Sequence, residues 1–352
     1  MTEAELLEHL NDRDWHVRHV AVTHGNATER VLLAALKDED HRVRYAAVEH
    51  SNATERVLLA ALKDQAYAVR EAAARNRNAT EIVLLVAVHD KDELVRRTAA
   101  CHENATESVL LKALKDGELE ICADAARNPN ATESMLLKVL KDGCQQTRAA
   151  AAENLNATER VLLEAVQDKL PYVRANAAGN PNATEQVLLK VAKKDEDSYV
   201  RETVAKSPKA TKQMLLEAIQ DEDWHVRVAA AKNLNATEQV LLIAVKDEDQ
   251  WIRRAAACNP NATGRVLLEA LKDKEPDIRF AAVNNPNATE QVLLKALEDT
   301  DVDIRLAAVE HPNATEQVFR QASINDDARV RKAVAHNTRA SMIAKIVGAL
   351  GG

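Results

Sequence analysis

Two sets of residues in this chain have types and spacings that could do chemistry. The first is a pair of charged rows. Asp recurs at Asp12, Asp38, Asp64, Asp90, Asp116, Asp142, Asp168, Asp195, Asp221, Asp247, Asp273 and Asp299, and six residues after each stands an Arg, from Arg18 to Arg305, except at Cys122. A row of guanidinium forks could cradle phosphates, because the fork matches two phosphate oxygens at once. Here every Arg has an equally regular carboxylate, so the rows are expected to tie turn to helix and unit to unit as scaffold. The second set is aromatic and basic: Trp15, His16, His19, His41, Arg42, Tyr45, Tyr67, Tyr172, Tyr199, Trp224, His225, Trp251, Arg254 and Phe280. Such residues supply contact area at little rotamer cost, which is recognition chemistry and not bond making.

Catalytic groups are scarce. Cys122 has no His at a telling position to activate it. His102-Glu103 is the only His-Glu pair, and one pair does not make a metal site. Cys101, Cys122, Cys144 and Cys258 are scattered, without zinc or disulfide spacing. No catalytic residue, metal or cofactor is expected.

The elements that must position these residues come from a repeat. Asn-Ala-Thr begins at Asn26, Asn52, Asn78, Asn104, Asn130, Asn156, Asn182, Asn235, Asn261, Asn287 and Asn313; Lys209-Ala-Thr fills the gap and Arg339-Ala-Ser closes the series. Steps are 26 residues, apart from one of 27 that gains a residue near Lys194. A fixed period of this size signals a solenoid. Within a unit, Asn-Ala-Thr-Glu reads as a capping box opening helix A, with Asn as the cap. Val57-Leu58-Leu59-Ala60-Ala61-Leu62 then forms one apolar stripe. An acid at the Asp14 position caps helix B, whose Val-Arg-x-Ala-Ala-Ala packs closely. Helix B stops at Asn, expected in the left-handed region, and Pro usually follows.

The expectation is all-α: a single array over residues 1–338, its thirteen units starting near residues 1, 26, 52, 78, 104, 130, 156, 182, 209, 235, 261, 287 and 313. Residues 339–352 are expected to form an apolar C-terminal capping helix that could associate end to end. No run approaches the ~18 apolar residues a membrane span needs. The acidic start, already in repeat register, does not read as a signal peptide. With the scattered cysteines this points to the cytoplasm. The net charge of -8 argues against a general nucleic-acid binder. Asn-Ala-Thr also matches the N-glycosylation acceptor, read here as coincidence with the turn motif.

An Asp followed by Val-Arg ahead of an alanine-rich helix, as at Asp64, Val69 and Arg70, resembles the HEAT-like repeats. The compact unit with Asn128-Pro129-Asn130 between helices is similar to the bacterial leucine-rich-repeat variant family. The resemblance covers essentially the whole chain. It implies a right-handed α-solenoid with B helices on the concave side, and a scaffold that binds other molecules. Some variant-family members carry a cysteine-ligated iron–sulfur module ahead of the repeats; with no Cys before Cys101, that property does not transfer. Neither the di-iron deoxyhypusine hydroxylases nor the HEAT-like DNA glycosylases are matched residue by residue.

Function should lie where the repeats differ. Eight of the nine aromatics occupy the outward helix-B positions of Trp15, His16 and His19; only Phe319 takes a core position. Charges on this face balance, with Arg75 and Arg97 set against Glu71 and Glu120, for example. A mixed, aromatic face suits a protein or peptide held by a monomeric array, with single-stranded RNA or DNA as the alternative. Between Asp116 and Lys209 the units are irregular: Cys122 replaces the row Arg, and Cys144-Gln-Gln-Thr147 replaces the usual acid-to-Val turn. A kink or weaker interface is expected there, with Asp116 left unpaired.

Overall fold

Each repeat buries what its 3.6-residue period brings to one side. In the third unit, helix A (Glu55–Ala61) contributes Val57, Leu58 and Ala61, and helix B (Tyr67–Arg75) contributes Val69, Ala72 and Ala73, all buried. Alanine on helix B lets neighbouring B helices approach closely, and the pattern recurs from repeat to repeat. The computed structural model describes residues 1–192 and 194–337, which form 26 helices and no strand. The chain is an all-α solenoid of repeats. Its backbone gathers into two compact blocks, Met1–Asn182 and Ala183 onward, each built from the same repeat. The expected C-terminal capping helix lies outside the described residues.

Helix B starts as the sequence suggests. Asp40 caps the helix His41–Glu49 by accepting the Arg42 backbone N–H at 2.9 Å, and Asp92, Asp197, Asp223, Asp249 and Asp301 act alike.

Helix A does not. Its N-cap is Thr, and Glu is the first helical residue, so Asn-Ala-Thr-Glu is not a capping box. The motif stitches repeats together instead. Asn78 Nδ2 donates to the carbonyls of Ser51 and Ala53, which flank Asn52 at the start of the preceding repeat, at 2.8 and 3.1 Å. The Thr80 hydroxyl donates to Glu55 Oε2 at 2.6 Å. Lys212 replaces that Glu in one repeat, and the buried Thr237 hydroxyl has no partner; the Thr263 hydroxyl also lacks one, although Glu238 stands at the matching position.

The Asn that ends helix B is extended, not left-handed: Asn128 has φ -57° and ψ 132°, and no described non-glycine residue has positive φ. Its side chain explains the choice. Nδ2 of Asn128 reaches the carbonyls of Ala100 and His102 at 2.8 and 3.1 Å, while Oδ1 accepts the Asn130 N–H at 2.9 Å. His substitutes where its ring reproduces this pattern. His102 Nε2 lies 3.1 Å from the Asn76 carbonyl oxygen, and Nδ1 accepts the Asn104 N–H at 2.9 Å, which requires the neutral Nε2–H tautomer. The buried His102 is thus a structural residue.

Candidate partner-binding face

Behind the variable face, the charged rows form a ladder. Arg70 donates from Nε and Nη2 to Oδ2 and Oδ1 of Asp90 in the next repeat, at 2.8 and 3.0 Å. Its Nη1 donates to the Asp64 carbonyl of its own turn at 2.9 Å. The Asp64 carboxylate in turn takes Arg44 of the preceding repeat at 2.6 Å and the Ala66 N–H at 2.8 Å. One guanidinium therefore joins helix, turn and next repeat, and the same rung recurs at Arg18, Arg96, Arg148, Arg201, Arg227, Arg253 and Arg279. These forks are spent on carboxylates and are not a phosphate row.

Two rungs fail instructively. Asn325 stands where Arg305 needs a carboxylate, and the buried Arg305 Nε is left without a partner. Cys122 replaces the Arg that would hold Asp142. The acid that loses its Arg is therefore Asp142, one repeat on; Asp116 keeps Arg96 at 2.7 Å. In place of a rung, helix A of that repeat continues to Asp142, ten residues long.

The fourteen candidate residues all lie in the first five positions of B helices, but they are not equivalent. Trp15 is half-buried in a stack: the His16 ring centroid lies 3.8 Å away, His19 meets it edge-on at 5.9 Å, and the Arg42 guanidinium sits 3.5 Å over its ring. Arg42 also grips Asp40, and those hydrogen bonds with the Arg42 backbone N–H hold the Asp40 carboxyl well below the usual range. Trp15 thus joins neighbouring repeats. Tyr45 donates to Glu49 Oε1 at 2.7 Å, which with burial raises its phenol above the ordinary value. His41 and Arg254 are exposed, and His225 lies against Trp224 with centroids 3.7 Å apart.

The remaining aromatics are open to solvent. Tyr199 and Trp251 are 55% and 57% exposed, and Tyr67, Tyr172, Trp224 and Phe280 are also exposed. None of Tyr67, Tyr172, Tyr199, Trp251 or Phe280 makes a ring contact among the described residues. Phe280 lines a cleft of about 690 Å³ between the B helices Pro276–Val283 and Val302–Glu310, with Asn284, Asp303, Leu306 and Glu310 along its walls. Sequence reading that counted only aromatics missed Leu94 and Leu119, which occupy the same outward positions and are 46% and 49% exposed. Their signal was a large apolar residue in a polar slot.

Among the described residues no group of three or more His, Cys, Asp and Glu is placed to hold a metal, and no helix is long and apolar enough to cross a membrane.

The family model of the HEAT repeat matches residues 213–237, the helix pair that carries Trp224. No curated protein matches the chain in sequence. Among solved structures, a leucine-rich repeat variant with a novel repetitive structural motif is 25% identical, covering 63% of this chain and 88% of its own, with a TM-score of 0.47. Yeast importin-beta (Kap95p) is 12% identical over 94% of this chain and 56% of its own, with a TM-score of 0.38. Kap95p in a structure describing its binding to RanGDP is 13% identical over 95% and 51%, with a TM-score of 0.33. The chain spans about half the length of these two importin-beta chains.

Proposed function

We propose that this array of HEAT-like helical repeats is a non-catalytic scaffold that holds a protein or extended peptide against the outward face of its B helices. One observation carries the reading. The core is built from Leu, Val and Ala, yet Tyr199, Trp224, Trp251 and Phe280 stand exposed along one block, where exposed apolar rings mark contact surfaces. The cleft beside Phe280 offers such a partner a place to seat a side chain. A polyanion is a poorer fit, because the net charge is -8 and the ladder arginines are already paired. Four free cysteines suit a cytoplasmic setting, and a monomer would leave the face open.

The test is a native pull-down, with and without nuclease, comparing the wild-type chain with a Tyr199→Ala, Trp224→Ala, Trp251→Ala variant. The expected result is a specific protein retained by the wild type, indifferent to nuclease and lost in the variant. Nuclease-sensitive recovery of nucleic acid would overturn the reading in favour of single-strand binding.

A further inference from the structure

The broken rung at Cys122 leaves more than an unpaired acid. Where the other repeats carry an Arg side chain, a cavity of about 240 Å³ opens, walled by Leu111, Leu114, Leu119 and Val139 and by the sulfurs' own residues, Cys122 and Cys144. We propose that this cavity is a covalent docking site for a small apolar Michael acceptor, an α,β-unsaturated ketone or aldehyde, with Cys144 as the nucleophile.

The local sequence builds the site from three departures. Replacing Arg with Cys122 empties the space and turns its short thiol toward the carbonyls of Ala113 and Asp116, at 3.5 and 3.3 Å. Gly143 lets the end of helix A meet the start of helix B: a Cβ there would lie 2.5 Å from both the Thr147 hydroxyl and the Val139 carbonyl oxygen, so no other residue fits without a shift. Cys144 then takes the N-cap position of the helix Gln145–Glu153, a place most other repeats give to Asp. The Thr147 hydroxyl lies 2.9 Å from the Cys144 carbonyl oxygen and 3.5 Å from its sulfur.

The reactive character of Cys144 has a physical cause. Burial opposes its ionisation, but hydrogen bonds from Thr147 and from the Gln146 N–H, with the Arg148 charge, outweigh it and hold the thiol below its ordinary value. The other thiols differ. Burial pushes Cys122 up, and at Cys101 desolvation with the Asp124 carboxylate pushes the thiol up to about 11. The cavity is smaller than the roughly 300 Å³ and upward of drug-sized ligand pockets, so it admits a short carbon chain. In the addition, the Cys144 thiolate sulfur bonds to the β-carbon, the C=C electron pair moves to an enolate, and the α-carbon takes up a proton equivalent to the one the thiol released. No atom leaves, and neither oxidant nor reductant is needed.

The test treats the full chain with 1-octen-3-one and maps adducts over time by peptide mass spectrometry, with iodoacetamide as a polar comparison. Cys144 should react with the enone about tenfold faster than the more exposed Cys101, because more of Cys144 is thiolate at neutral pH. Cys122→Arg, which restores the common ladder residue and refills the cavity without touching Cys144, should remove that advantage for the enone more than for iodoacetamide. Cys144→Ser should abolish the fast adduct. Labelling of Cys101 or Cys258 at the rate of Cys144, or an unchanged Cys144 rate in Cys122→Arg, would overturn the proposal.

Discussion

Two stretches of the variable face solve the same problem in opposite ways. Between residues 71 and 153 the outward polar side chains pair with one another, and only Leu94 and Leu119 stand open on this face as large apolar groups. Arg97 binds Asp124 at 2.6 Å and Glu120 at 3.0 Å, Arg127 binds Glu153 at 2.9 Å, and Asn176 from the following repeat binds Glu153 at 2.8 Å. Between residues 199 and 280 the same face holds Tyr199, Trp224, Trp251 and Phe280, which stay exposed; Tyr199 and Trp251 take the repeat position of Glu120, and Phe280 that of Arg97. The same slots can therefore stiffen the array or be offered to a partner. The same ladder runs behind both stretches, broken in the first only at Cys122, so assembly of the repeats does not depend on how the outward slots are used.

The comparison breaks or sharpens most visibly within one helix, Gln250–Cys258. Arg253→Ala leaves the Asp273 carboxylate, only 5% exposed, without its fork, and should destabilise the protein by about 3 kcal/mol. Two residues earlier, Trp251→Ala should change stability by no more than about 0.5 kcal/mol. Urea unfolding of the two variants checks both; equal losses would erase the distinction between ladder and face.

Acid should reach the shared ladder next. At Asp64, Asp116, Asp273 and Asp299 burial pushes the carboxyl up, but the bonded Arg and a backbone N–H prevail and hold it below the ordinary value. A carboxyl that binds its proton more weakly when folded contributes fully above its unfolded value, near pH 4, and loses that contribution as pH falls through the depressed folded value. The ladder's share of stability, read as the difference in unfolding free energy between wild type and Arg253→Ala, should therefore hold level from neutral pH to about pH 4 and fall below it. A steady decline between pH 7 and 5 would contradict the ladder as the acid-sensitive element. A smaller effect separates the two stretches themselves: Arg97→Ala should cost about 1 kcal/mol through its two carboxylates, and the exposed Arg254→Ala almost nothing.

Much of the fold was legible because local rules and the period agree. Asp at the Asp14 position, the Val-Leu-Leu stripe and the alanine-rich B helix each dictate what is seen. The Asn-Ala-Thr-Glu motif was misread because a capping box and an inter-repeat stitch use the same residue types; only the position of the neighbouring repeat shows that Thr80 serves Glu55. The orphaned acid was misassigned for the same reason. Spacing along the chain pairs Asp116 with position 122, whereas stacking pairs Asp142 with it, since each Arg reaches 20 residues forward. The cavity was invisible, being the space an absent side chain leaves. The aromatic positions were readable by slot, but the division between the tied Trp15 and the open Trp251 needed the Arg42 contact.

The most direct measurement is the unfolding free energy of the Tyr199→Ala, Trp224→Ala, Trp251→Ala variant relative to the wild type. Aromatics held out for a partner predict a loss within about 0.5 kcal/mol per site, with the helical content unchanged. A loss of several kcal/mol would show that these rings brace the repeats, and the face would then be structural.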